Sequence, residues 1–404
     1  MFEVLFSRPT AIERHREGPH SIARECFLTK CVNQGYSRSM LQKFAWVLLS
    51  LAHRIDLTNG TLSKSQIDQI IDEMKISPGS RQLFTHVAVE WIRDLGCLEA
   101  VHADDGSFSH YIAAFARHLT EERGLSQVTI LTRCERLNWL FADLKKRHAS
   151  LQTVSIIDID AFLDAKGKNG WSRWSLASLA SDIRTFFRYA EGQNWCPLNL
   201  AAAIESPHLY AQEKLPKAPN REDVEHLLAK TRGDSPGDIR DYAILLLLAY
   251  YGFRRGEVAR LHLEDFDWVG EKIMISRPKQ RRIQLYPLLP AVGEAILRYL
   301  QEVRPHCSLR NLFLALKAPL RPLSATSISP IVRNRLRALG IDLPSQGAHC
   351  LRHACANQLL AAGFSLKQIG DHLGHQAANS TMIYTKIDLA GLRQVADLDM
   401  RRLL

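Results

Sequence analysis

Strand-forming residues in this chain are concentrated in one short stretch. Lys272-Ile-Met-Ile-Ser-Arg277 and Arg282-Ile-Gln-Leu-Tyr-Pro287 flank a loop at Pro278-Lys279-Gln280. Two β-branched and aromatic runs separated by a short turn segment predict a β-hairpin. Elsewhere apolar residues recur at helical spacing. Leu41, Ala45, Leu48, Leu49 and Ala52 mark one face, and Ile130, Cys134, Leu137, Phe141 and Leu144 another. Leu176, Leu179, Ile183, Phe186 and Ala190 mark a third. Further helices are expected over 64–74 and 81–95, and a buried one over 238–253. The fold class that follows is mainly α, with a small antiparallel sheet (α+β) in a C-terminal domain and helical domains before it.

A length of 404 residues predicts two or three domains. Asp104-Asp105-Gly106-Ser107 reads as a linker. So does the polar segment Glu213–Ala218, bracketed by Pro207, Pro216 and Pro219. The expected division is a helical domain over 1–103, a second over 104–210 and a third over 211–404. The first two share a pattern. Gly35-Tyr-Ser opens a helix carrying Trp46, and Ile67-Asp-Gln-Ile-Ile follows. Gly124-Leu-Ser opens a helix carrying Trp139, and Ile159-Asp-Ala-Phe-Leu follows. This pattern fits a degenerate duplication, or two helical domains with the same amphipathic rhythm.

Lys and Arg outnumber Asp and Glu by 52 to 42, giving a formal charge of +10. That excess favours a polyanionic partner, nucleic acid first. In the second helical domain Lys166, Lys168, Arg173, Arg184 and Arg188 form a basic group. Singly each reads as a solvated surface residue; together on a compact helical module they suit contacts to DNA phosphates. The eight cysteines include no CxxC pair, and His349-Cys-Leu-Arg-His-Ala-Cys355 has no common zinc spacing. No metal and no nucleotide cofactor are expected, since neither an acidic cluster nor a Gly-rich phosphate loop is present. The longest apolar stretch, 242–253, is too short to span a bilayer. Residues 1–20 mix apolar with charged side chains, unlike a signal peptide. A reduced, cytoplasmic, nucleoid-associated protein is expected.

Four separated segments carry a chemical pattern. They are Tyr251-Gly-Phe-Arg-Arg-Gly-Glu-Val258, the Lys279 hairpin, His349-Cys-Leu-Arg352-His353, and Leu373-Gly-His375-Gln followed by Ile383-Tyr384-Thr385. In this order they resemble the catalytic set of the tyrosine recombinase (phage integrase) family: a Gly-Leu-Arg-x-x-Glu box, a hairpin lysine, His-x-x-Arg, and Leu-Gly-His with a tyrosine nine residues on. The resemblance spans about Pro207 to Thr385. More loosely it covers Phe108 to Ile204, where Thr120-Glu-Glu-Arg-Gly-Leu-Ser is typical of the family's core-binding domain. It implies a site-specific enzyme that cuts and rejoins double-stranded DNA through a 3′-phosphotyrosine, for integration, excision or transposition of a mobile element. It further implies a tetramer, or an assembly with sister recombinases, acting through a Holliday junction.

The resemblance also implies roles. Tyr384 is the nucleophile. Its phenol has a free pKa near 10, so the site must activate it. Arg254 and Arg352 clamp the non-bridging phosphate oxygens, which a planar, permanently charged guanidinium suits. Lys279 protonates the departing 5′ oxygen; Arg281 and Arg282 compete by proximity, but arginine is a poor proton donor. His349 shares a helix face with Arg352 and either moves a proton at Tyr384 or contacts phosphate. His375 hydrogen-bonds a phosphate oxygen. Glu257 orients Arg254, or else pairs with it as a surface ion pair of little worth. Arg281 and Arg282, like the basic group above, are candidate DNA contacts. A tail carrying Leu392, Val395, Ala396 and Leu398 reads as an amphipathic helix that docks on a neighbouring protomer or on its own domain. Two other outcomes use similar residues or none of the chemistry: a type IB topoisomerase or telomere resolvase, and a DNA-binding assembly subunit without cleavage.

Overall fold

The computed structural model describes residues 1–55, 60–99, 108–209, 218–277, 282–344, 346–375 and 379–382. The chain divides into two compact units, Leu57–Glu213 on one hand and Met1–Asp56 with Lys214–Leu404 on the other. Four helices open the chain: α1 (Phe2–Leu5), α2 (Pro9–Glu17), α3 (Ser21–Asn33) and α4 (Arg38–Ala52). Arg24 is fully buried here and donates to the carbonyls of His15, Gly18 and Pro19, around the end of α2. Those carbonyls lack intrahelical partners and favour a cation. The Leu320 N–H donates to the Gln34 carbonyl at 2.8 Å, tying the α3–α4 turn to the later part of the same unit.

The unit over 57–213 holds α5 (Lys64–Glu73), α6 (Pro78–Asp94), α7 (Ser109–Glu121), α8 (Gln127–Leu144), α9 (Ile156–Lys168), α10 (Arg173–Gly192) and α11 (Leu200–Ala203). The predicted helices over 64–74 and 81–95 are α5 and α6, with α6 starting earlier at Pro78 because Pro is well placed in a first turn. Serine hydroxyls cap α5, α8 and α10, accepting from the N–H of Gln66, Thr129 and Ser175. Phe115, Leu137, Phe141, Ile159, Leu179, Ile183 and Phe186 meet in one core, so the predicted faces of α8 and α10 point inward. The expected linkers at 104–107 and 213–217 lie outside the described residues.

The later part of the unit that contains Met1–Asp56 begins with α12 (Arg221–Thr231) and α13 (Pro236–Tyr251). Nearly every residue of α13 from Ala243 on is buried, and it packs against α12, α15 and α17. After α14 (Arg255–Ala259) come β1 (Phe266–Asp267), β2 (Lys272–Arg277) and β3 (Arg282–Pro287), an antiparallel sheet in that order. The predicted hairpin is β2–β3, with Ile273 opposite Tyr286 and Arg277 opposite Arg282. Along β2 the inward residues are Ile273, Ile275 and Arg277. The chain continues through α15 (Pro290–Glu302), α16 (Ala325–Ala338), α17 (Ala348–Ala361), α18 (Leu366–Leu373) and α19 (Asn379–Met382). The observed class is the expected one, mainly helical with one small antiparallel sheet.

Candidate active site

The ends of two helices organise the site. α13 stops at Gly252 and α18 stops at Gly374, both with positive φ (+62° and +64°). A side chain is disfavoured in that conformation, and at both positions a Cβ would collide with a neighbour. The final carbonyls of a helix have no intrahelical donor and carry partial negative charge. Two arginines answer them. Arg352, on α17 and almost completely buried, donates Nη1 to the Gly252 carbonyl at 2.6 Å and Nη2 to the Leu373 carbonyl at 2.7 Å. Arg254 donates Nη2 to the Gly374 carbonyl at 3.0 Å.

Arg254 sits just before α14, with an extended backbone that turns its side chain back toward Glu257. Glu257 accepts from the Arg254 backbone N–H at 2.8 Å and from its Nη1 at 2.9 Å. Glu257 is buried, whereas 37% of the Arg254 side chain stays exposed. The pair is therefore no loose surface salt bridge: a buried carboxylate fixes a guanidinium that keeps one side open. Glu257 also forms an ion pair with Arg277 at 3.1 Å, without the alignment of a hydrogen bond.

Histidines complete the wall. His349 lies one turn before Arg352 in the first turn of α17. Its pKa is lowered by burial and then by Arg352, Arg254 and Arg255. His375 follows α18, with Nδ1 2.7 Å from Thr381 Oγ1. Burial, then Arg352, Arg254, Arg277 and His353, push it down to about 4. Burial, His349 and Arg352 push His353 down to about 4 as well. These imidazoles are neutral at pH 7, and a neutral ring can both accept a proton and donate a hydrogen bond. Burial depresses them most, and the arginine charge that adds to it is a field an anion such as a phosphodiester would relieve.

Arg254, Glu257, His349, Arg352 and His375 are thus brought together from segments far apart in the chain. Lys279, Arg281 and Tyr384 lie outside the described residues, as does the tail over 383–404. Arg282 opens β3 opposite Arg277. Arg277, Tyr286 and His372 are the site's neighbours that sequence reading passed over, and His353 was read only as part of the His349–Cys355 segment. Only Arg277 carried a signal: a charged residue at an inward position of an alternating strand.

The basic group in the 57–213 unit is dispersed in its roles. Lys166 Nζ lies 5.2–5.6 Å from the ring centroids of Phe162, Trp139 and Trp171. Lys168 pairs with Asp164 on the surface. Arg184 donates to the Ile204 carbonyl and to Ser206 Oγ, fastening α10 to the segment after α11. Arg173 and Arg188 are exposed on α10. Among the described residues no His, Cys, Asp and Glu group is placed to hold a metal, and no helix is long and apolar enough to cross a membrane. Cys355 instead donates to the Tyr250 carbonyl.

Comparison with known proteins follows the same lines. The phage integrase family matches residues 220–390, and the phage integrase N-terminal SAM-like domain matches 112–194. A putative integrase/recombinase of Sinorhizobium fredii, y4rA, is 36% identical over 302 residues, covering 73% of this chain and 72% of that protein. Tyrosine recombinase XerC of Alcanivorax borkumensis is 30% identical over 296 residues, covering 71% and 92%. Among solved structures, XerH site-specific recombinase in a post-cleavage complex with difH substrate matches with a TM-score of 0.55 at 18% identity, covering 93% of this chain and 94% of that one. A lambda integrase dimer bound to a core site gives 0.54 at 18% identity, covering 68% and 94%.

Proposed function

Since this chain belongs to the phage integrase family and is a tyrosine recombinase, we propose that it cleaves and rejoins specific DNA sites through a 3′-phosphotyrosine at Tyr384. The observation that carries this reading is the pair of fixed arginines. Arg254 and Arg352 are held by the carbonyl ends of α13 and α18, beside neutral histidines and with one face of Arg254 open. Such prearranged donors stabilise charge that builds up at phosphorus, because they need no reorganisation during reaction.

The Tyr384 oxygen attacks phosphorus and loses its proton to neutral His349, while His375 hydrogen-bonds a phosphate oxygen. A Tyr–O–P bond forms while the P–O5′ bond breaks. Lys279 gives the departing 5′ oxygen its proton. The phosphotyrosine bond retains the energy of the broken ester, so a 5′-hydroxyl from a partner strand can reverse the step and complete the exchange. Lys166, Lys168, Arg173, Arg184 and Arg188 contribute DNA contacts from a domain over 104–210, and Arg281 and Arg282 from a domain over 211–404, following a helical domain over 1–103. Four protomers, or this chain with sister recombinases, pass through a Holliday junction. The biological setting is the integration, excision or transposition of a mobile element in the bacterial cytoplasm.

The test is covalent trapping. Duplexes recovered from a random-sequence library by the full-length protein are nicked near the candidate scissile phosphates and incubated with protein in a metal-free buffer. A protease-sensitive adduct on denaturing gels with wild type, absent with Tyr384→Phe, is the expected result. Tight binding of these duplexes with no adduct at any nick position would sink the cleavage reading and favour a non-catalytic assembly subunit.

A further inference from the structure

We infer that Arg277 is a positioning residue for the phosphate clamp, holding Arg254 open through the carboxylate they share and joining the lysine hairpin to the end of α18. The inference rests on the recombinase reading above.

Arg277 is the last residue of β2, and its side chain is 3% exposed. Burying a guanidinium is unfavourable unless its charge and donors are met. Here Nη1 donates to Gln284 Oε1 at 2.6 Å, Nη2 donates to Tyr286 Oη at 2.8 Å, and Nε faces Glu257 Oε1 at 3.1 Å. Two of those partners reach onward. Gln284 Nε2 donates to the Asp371 carbonyl at 3.0 Å, and the Tyr286 hydroxyl donates to the His372 carbonyl. The guanidinium also occupies the space a side chain at position 374 would take: a Cβ there would lie 1.3 Å from Arg277 Nη1. Hairpin strands, α18 and the Glu257 box therefore meet at one buried cation, two residues ahead of Lys279 in the chain.

The effect on Arg254 follows from charge. A buried carboxylate with one cation draws that cation fully onto itself. Glu257 has two, so Arg254 shares it and keeps an open face for phosphate. Without Arg277, Arg254 is pulled further onto Glu257, away from the reacting oxygens.

The experiment compares Arg277→Met, Arg277→Lys, Glu257→Gln and the double variant Arg277→Met/Glu257→Gln on the nicked library-derived duplexes. Single-turnover adduct formation, DNA Kd and thermal unfolding are read together. Arg277→Met slows adduct formation by about 100-fold, the scale of a small displacement of a reacting group, with Kd within about twofold of wild type. Arg277→Lys recovers part of the rate, since it keeps the charge but not the fork. The double variant, which leaves no unbalanced buried charge, is no slower than Glu257→Gln alone. Wild-type rate in Arg277→Met, a loss that appears in Kd instead, or losses that multiply in the double variant would overturn the inference while leaving the recombinase reading intact. Absence of adduct with the wild-type protein would overturn both.

Discussion

Arg352 Nη1 donates to the carbonyl of Gly252, a residue 100 positions earlier in the chain, at 2.6 Å. Its Nη2 meets the Leu373 carbonyl at 2.7 Å, so one side chain closes the ends of two helices. Arg254 makes the corresponding contact to Gly374 yet stays partly open to solvent. The two arginines share a chemistry and differ in what they carry structurally.

Replacing them separates these roles. Arg352→Ala leaves two carbonyls without their donors and destabilises the fold by roughly 2–5 kcal/mol. Arg254→Ala lowers stability by about 1 kcal/mol, because its lost contacts are partly solvated. Both variants lose adduct formation by about 100-fold or more. Urea unfolding beside the trapping assay checks this; equal stability losses in the two variants would contradict it.

Gly374→Ala is expected to disturb the site as well as the backbone. A left-handed backbone costs an alanine about 1–2 kcal/mol, and the new Cβ must displace the Arg277 guanidinium. Gly363 supplies the comparison: its φ is +86°, and nothing lies within 4 Å of a Cβ there. Gly363→Ala should show the backbone penalty alone, with adduct formation unchanged. A Gly374→Ala protein that unfolds at the same urea concentration as Gly363→Ala would refute the close packing.

Acid should weaken the DNA-free fold through the site histidines. His353 and His375 are held down to about 4, from an ordinary value of 6.5. Between those values the unfolded chain binds protons that the folded protein refuses. Stability is therefore full above about pH 6.5, falls as pH drops toward about 4, and levels off below. Melting temperatures from pH 7.5 to 4 record the slope, and His353→Gln with His375→Asn should reduce it, leaving the share of His15, His349 and His372. An unchanged slope in that double variant would assign the acid sensitivity elsewhere.

Two arginines on α10 are expected to behave differently. Arg184 is engaged by Ile204 and Ser206, so Arg184→Ala loosens the end of its unit and lowers thermal stability by about 1 kcal/mol or more. Arg188 is exposed. Arg188→Ala should leave melting unchanged, weaken DNA binding on every duplex alike, and reduce the salt slope by about one. Equal Kd and salt slope for Arg188→Ala and wild type would remove it from the DNA interface.

Much was legible in the chain itself because it is written over short distances. Strand-forming runs over 272–277 and 282–287, flanking a short turn segment, marked both strands of the hairpin. Helical spacing marked the inward faces of α8 and α10. The ordered boxes around Arg254, His349, Arg352 and His375 named most of the residues that meet at the site. The first two signals depend on side-chain period and residue type, which act within a few positions, while the boxes were legible through their resemblance to the family's catalytic set.

What tertiary structure alone decided is how those residues are held. Spacing pairs Glu257 with Arg254 but says nothing of Arg277, which arrives from a strand in a different part of the chain. That Arg352 should close α13 and α18, or that Gly374 should make room for a guanidinium, depends on helix ends brought together by packing. Arg184 looked like its neighbour Arg188 until the fold set Ile204 beside it. The grouping of Met1–Asp56 with Lys214–Leu404 follows the same rule. Periodicity states which face of an element is buried, while the partner on the far side of that contact is chosen by long-range packing and by the need of every buried charge and carbonyl for a counterpart.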